Sequence, residues 1–151
     1  MHAIQGKKNG NVTIRQHTST MKKYLKGQPL SIVIAIAIWT VCMIPLPETP
    51  LDNVPMMDKW THFVMYGTIV AVIMVEYGRR KKAIDWRRLL TGGFILPVIM
   101  SGMIELAQAY LTNGVRSGDW IDFLANTIGA VIGCIIGIPL ALFLSRRNKG
   151  A

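Results

Sequence analysis

Cysteine is nearly absent. The chain holds two among 151 residues, Cys42 and Cys134, each inside an apolar run. Neither shares a Cys-His spacing of the kind that builds structural zinc, so both read as small buried fillers. Acidic residues are also scarce, eight against seventeen basic ones. There is no P-loop, no dinucleotide fingerprint and no HExxH, so no cofactor and no metal is expected. No serine or cysteine stands beside His62 in the local sequence, so a covalent nucleophile is not indicated.

What is plentiful is hydrocarbon. Hydrophobic residues make up 51% of a chain whose net charge is +9. Charge and apolar residues separate into blocks, the pattern of a membrane protein with basic flanks. The reading is all-α, a polytopic membrane protein built as a bundle of four transmembrane helices. Residues 1–28 form a polar cytoplasmic segment without apolar periodicity, expected to be disordered. Its start, before Met21, reads as an upstream extension or leader. The membrane domain is 29–145, and 146–151 is a basic cytoplasmic tail.

The spans are expected near Leu30–Leu46, Trp60–Tyr77, Leu89–Thr112 and Trp120–Leu144. The first has no charge, and about 17 residues cross the hydrocarbon with little tilt. Pro45, Pro47 and Glu48 follow it rather than a small-x-small cleavage site, which favours an uncleaved span over a signal peptide. Pro97 should kink or loosen the third span. Fifteen of the seventeen basic residues fall in the N-terminal segment, the 78–88 loop and the C-terminal tail; Lys59 and Arg116 are the other two. This bias places both termini on the cytoplasmic side of the cell membrane. Trp60, Tyr110 and Trp120 then mark the outer interface and Trp86 the inner one. The basic blocks abut spans, so they point to anionic lipid and not to nucleic acid.

Ionisable groups inside spans are costly and face a bundle interior or a wet cavity. Asp58, His62 and Tyr66 recur at i, i+4, i+8 on the second span. Glu105 lies roughly 10 Å below Thr112, and His62 about 6 Å below Asp58. Asp122 and Asn126 occupy the first turns of the fourth span. At about 100° per residue they share an arc of roughly 80° with Gly129, Gly133 and Gly137, a helix-packing stripe. One polar pocket is therefore expected under the outer surface: Asp58, His62, Tyr66, Glu105, Gln108, Arg116, Asp122 and Asn126. Structural roles compete for several of these. Asp58 and Asp119 suit helix N-caps, Asn126 suits helix glue, and Glu105 suits a locking pair with Arg116 or His62. Lys59 reads as a head-group contact, and Glu76 as a partner of the basic loop.

The ordered set Asp58-Lys59-Trp60-Thr61-His62-Phe63-Val64-Met65-Tyr66, Glu105-Leu106-Ala107-Gln108, Arg116, and Asp119-Trp120-Ile121-Asp122 through Asn126 to Gly129 resembles the VanZ-like family. The resemblance covers about residues 30–145. It implies a small multi-span membrane protein, from a family whose named member is associated with resistance to the glycopeptide teicoplanin. Three functions stay open on this sequence. The first is recognition of a membrane lipid or lipid-linked envelope head group, with Arg116 and His62 as anion contacts. The second is acid–base hydrolysis or transfer on a lipid-linked substrate, and the third is a non-catalytic scaffold. A homo-oligomer is compatible with each.

Overall fold

A computed structural model of the protein describes residues 27–44, 56–111 and 118–150. Among the described residues it is a bundle of four helices. Helix α1 is Pro29–Met43, α2 is Met57–Arg80, α3 is Trp86–Leu111 and α4 is Trp120–Arg147. The last three are long and apolar enough to cross a bilayer. The expected disorder of residues 1–28 falls almost wholly outside the described residues.

Helices α2 and α4 form the spine, the most extensive helix pair in the bundle. Glycine makes this possible. A Cβ on Gly133 would stand 2.5 Å from the Gly67 carbonyl oxygen and 2.8 Å from Val70 Cβ. A Cβ on Gly129 would collide with the Phe63 carbonyl, and one on Gly137 would sit 3.0 Å from Met74 Cβ. Backbone thus lies directly on backbone, the close approach that apolar helices need where burial of hydrocarbon gains little. The stripe through Gly129, Gly133 and Gly137 is the face of α4 that meets α2. The opposite face, with Ile128, Ile132, Ile135 and Ile136, is exposed as a lipid-facing surface.

Helix α1 has 15 residues and spans about 22 Å, less than the hydrocarbon thickness. Free N–H and C=O groups at such ends need partners wherever lipid replaces water. Two side chains from other helices satisfy them. Glu76 of α2 accepts from Leu30 N at 3.1 Å, from Ser31 N at 3.0 Å and from Ser31 Oγ at 2.5 Å. At the other end, Gln108 Nε2 of α3 donates to the Cys42 carbonyl at 2.8 Å. Glu76 was expected to face the basic loop; it caps α1 instead, because that helix begins beside it with Pro29 in its first turn.

Helix α3 carries a π-helical turn, Thr91–Ile95, between Trp86–Leu90 and Leu96–Leu111. Pro97 lies just past it. A proline has no N–H to donate and crowds the carbonyl four residues back, here Gly93, inside the widened turn. Loosening at this proline takes the form of one extra residue per turn. Asn148, after α4, donates to the carbonyls of Gly78 and Arg79 at 3.4 and 2.8 Å. The end of α4 is thereby pinned to the end of α2. The start of α1, the end of α2 and the end of α4 meet at one end of the bundle, among Arg79, Arg80, Arg146 and Arg147. Asp58, Asp119 and Asp122 occupy the other.

Candidate functional site

The acidic end is assembled around the first turn of α4. Asp119 is its N-cap, with Oδ1 accepting from Ile121 N at 2.9 Å. Its second oxygen accepts from Lys59 Nζ of α2 at 3.0 Å. Its backbone N–H donates to Glu105 Oε2 of α3 at 3.2 Å. One residue therefore ties three helices together. The Ile121 N–H, and after it the Lys59 ammonium, hold the Asp119 carboxyl below the ordinary aspartate range.

Lys59 is the centre of charge. Its Nζ stands 2.5 Å from Asp122 Oδ1, 3.0 Å from Asp119 Oδ2 and 3.9 Å from Asp58 Oδ2. One ammonium faces three carboxylates. A head-group role, expected from its place near the end of a span, does not describe it. The signal was in the spacing: Lys59, His62 and Tyr66 recur at i, i+3, i+7, on one face of α2. Asp58 was read as a possible cap, but α2 begins earlier. Met56 takes the N-cap position with φ 62°, and Asp58 falls inside the first turn.

His62 is 4% exposed. Its Nε2 lies 3.8 Å from Asp58 Oδ1 and 4.0 Å from Asp122 Oδ2, beyond hydrogen-bond reach of either. Its Nδ1 is buried without a partner. Glu105 was expected to pair with Arg116 or His62. Its carboxylate accepts from the Asp119 amide and from Asn126 Nδ2 at 3.4 Å, and no hydrogen bond or ion pair to His62 joins these among the described residues. Arg116 lies outside the described residues. Asn126 Nδ2 also donates to Ser101 Oγ at 2.8 Å, bonding α4 to α3. Ser101 was missed, although Ser101, Glu105 and Gln108 share the i, i+4, i+7 face of α3. The Tyr66 hydroxyl lies beside the Ser101 side chain in the same region, without the geometry of a full hydrogen bond. Gln108 is buried on that face of α3 but turns toward α1.

The structure thus brings Asp58, His62, Glu105, Asp122 and Asn126 into one polar cluster, with Lys59, Ser101 and Asp119 added. Tyr66 borders it. Trp60, Tyr110 and Trp120 are exposed near this end, with Phe63 and Phe123 edge-on beneath the two tryptophans.

A family model described as VanZ/LLP1 matches residues 5–143. The chain belongs to the VanZ/LLP1 family. The match starts well before residue 30, so the VanZ/LLP1 pattern takes in most of the polar N-terminal segment that the resemblance alone left out. No curated protein and no solved structure matches the chain. Family and apolar helices together make this a membrane protein. The cluster lies wholly inside the matched range, on the three helices long enough to span.

Proposed function

We propose that this VanZ/LLP1 protein sits in the cytoplasmic membrane with both termini inside, and that its acidic end recognises a head group in the outer leaflet. The ligand class is a lipid or a lipid-linked envelope precursor. One observation carries the reading. Among the described residues, the buried side-chain polar atoms without a hydrogen-bond partner are His62 Nδ1, Tyr66 Oη, Asp122 Oδ1 and Asn126 Oδ1. Asp122 Oδ1 has its ion pair with Lys59 and Tyr66 Oη lies beside Ser101, while His62 Nδ1 and Asn126 Oδ1 have neither. Buried polar groups are nearly always satisfied, so unmet capacity gathered in one place supports a ligand site over a purely structural knot. The gathering of basic ends at the opposite end supports the orientation. A link to glycopeptide resistance belongs to the same reading, through a head group on the envelope precursor.

The test is binding to vesicles containing either phosphatidylglycerol or a polyprenyl phosphate, with glycopeptide susceptibility as the cellular readout. Glu105→Gln and His62→Ala should each abolish retention while insertion and detergent stability persist. If both variants misfold, the residues hold the bundle together and bind nothing. A hydrolytic reading draws on His62 between two carboxylates, a general-base arrangement. It requires product from a lipid-linked substrate and purified protein, lost in His62→Ala.

A further inference from the structure

We propose that Asp58, His62 and Asp122 form a divalent-cation site of the zinc or manganese class at the mouth of the polar cluster, with Lys59 as an adjacent positive charge that weakens it. Each residue offers one ligand atom, and the three atoms lie within 4.8 Å of one another. Asp58 and His62 come from successive turns of α2, and Asp122 comes from α4, so no local motif announces the set. The site goes beyond the head-group reading and stands whether or not a lipid binds.

Two observations support it independently. The first is charge. Three aspartates crowd a single ammonium within 3.9 Å. Asp122 is buried while Asp58 and Asp119 reach the surface, and three carboxylates against one lysine leave an excess of negative charge that a cation would offset. The second is His62. A buried imidazole aims Nε2 between two carboxylates while hydrogen-bonding to neither. Ligands of a tetrahedral zinc stand about 3.3 Å apart, given bonds near 2.0 Å. The 3.8 and 4.0 Å spacings need only a small contraction. Asp58, whose side chain is 55% exposed, can rotate to close its gaps to His62 and to Asp122, the latter within 4.8 Å, while the buried His62 and Asp122 need a small side-chain shift toward each other.

Asp122 presents a different oxygen to each cation. Oδ1 faces Lys59 and Oδ2 faces His62. Lys59 can therefore stay on Asp119 when the ion enters. One imidazole with two carboxylates suits zinc or manganese, whereas magnesium and calcium prefer oxygen alone. Three protein ligands leave coordination open toward the exposed side of Asp58, where a phosphate or water can bind.

The test uses the full chain, purified in detergent without a polyhistidine tag. His2 and His17 are replaced by alanine, which leaves His62 as the last of its three histidines. Zn²⁺ and Mn²⁺ binding is measured by calorimetry, and nitrogen coordination by Mn²⁺ electron paramagnetic resonance. One ion per chain is expected. His62→Gln and Asp122→Asn should each weaken it at least tenfold, and Lys59→Met should tighten it roughly tenfold by removing an adjacent positive charge. A gain in Lys59→Met cannot come from a misfolded chain. Binding unchanged in His62→Gln, no binding below about 1 mM, or no gain in Lys59→Met overturns the site. Vesicle binding repeated in EDTA separates the two proposals. Lipid retained by a chain that binds no ion sinks the metal site and leaves head-group recognition standing.

Discussion

Removing the Glu76 carboxylate should undock α1. Glu76→Ala deletes three hydrogen bonds to the first turn of that helix and strands two backbone N–H groups and one hydroxyl. Bonds to a carboxylate contribute about 1.5–3 kcal/mol each, and a stranded buried donor costs about 1–3 kcal/mol. Part of Glu76 reaches water, so the lower end of those ranges applies, and lipid or solvent recovers some of the loss. About 3 kcal/mol is the resulting figure for the whole anchor. Undocking α1 as a unit would then become roughly a hundredfold more frequent. Cys42 reports it. Its side chain is 3% exposed on α1, so a membrane-permeant maleimide reaches it only when the helix leaves. In a Cys134→Ala background the labelling rate should rise about a hundredfold in Glu76→Ala, and less in Glu76→Gln, which keeps one acceptor. Gln108→Ala removes the anchor at the other end and should act in the same direction by a smaller amount, since a neutral hydrogen bond contributes about 1 kcal/mol. Unchanged Cys42 labelling in Glu76→Ala would refute the claim that a short helix is held by its ends.

Three further outcomes follow from the same geometry. Gly133→Val forces α2 and α4 apart and should lower thermal stability in detergent by about 2–3 kcal/mol, whereas Gly92→Ala, with nothing within 4 Å of the new Cβ, should change little. Met56→Gly relieves a left-handed residue and should raise stability by about 1 kcal/mol in chemical denaturation. Asp119 has a folded pKa below its unfolded value of about 3.9. Its contribution is therefore complete above that value and is lost as pH falls through the lower, folded one. Asp119→Asn should flatten the acid limb of a stability–pH curve below pH 4, as read by fluorescence of Trp120.

The helices were legible because four apolar runs separated by charged blocks have few other solutions in a bilayer. Their ends were less so. The first run reads to Leu46, yet helix is described only to Met43, and α2 starts at Met57 instead of Trp60. Such boundaries depend on caps, and both caps of α1 come from residues far away in sequence. Within the cluster, helical spacing marks His62, Glu105, Asp122 and Asn126 because each interrupts hydrocarbon. Lys59 escaped because a lysine near a span end ordinarily extends toward water. Three aspartates on two helices reverse that, and their convergence is a property of tertiary structure. Ser101 escaped for a related reason: a lone serine in a transmembrane helix bonds its own backbone readily, so only the partner, Asn126, reveals its role.

The glycine contact between α2 and α4 also governs motion. With main chains touching at Gly67, Gly129 and Gly133, and only Val70 and Met74 side chains against the rest of the glycine stripe, little compliant packing lies at this contact to absorb sliding or tilting. The pair behaves as one stiff rod, and Lys59, His62, Asp122 and Asn126 ride on it as a fixed half of the cluster. Any widening that admits a bulky guest has to come from α3, which carries Ser101 and Glu105 and is already unwound by one residue at Thr91–Ile95.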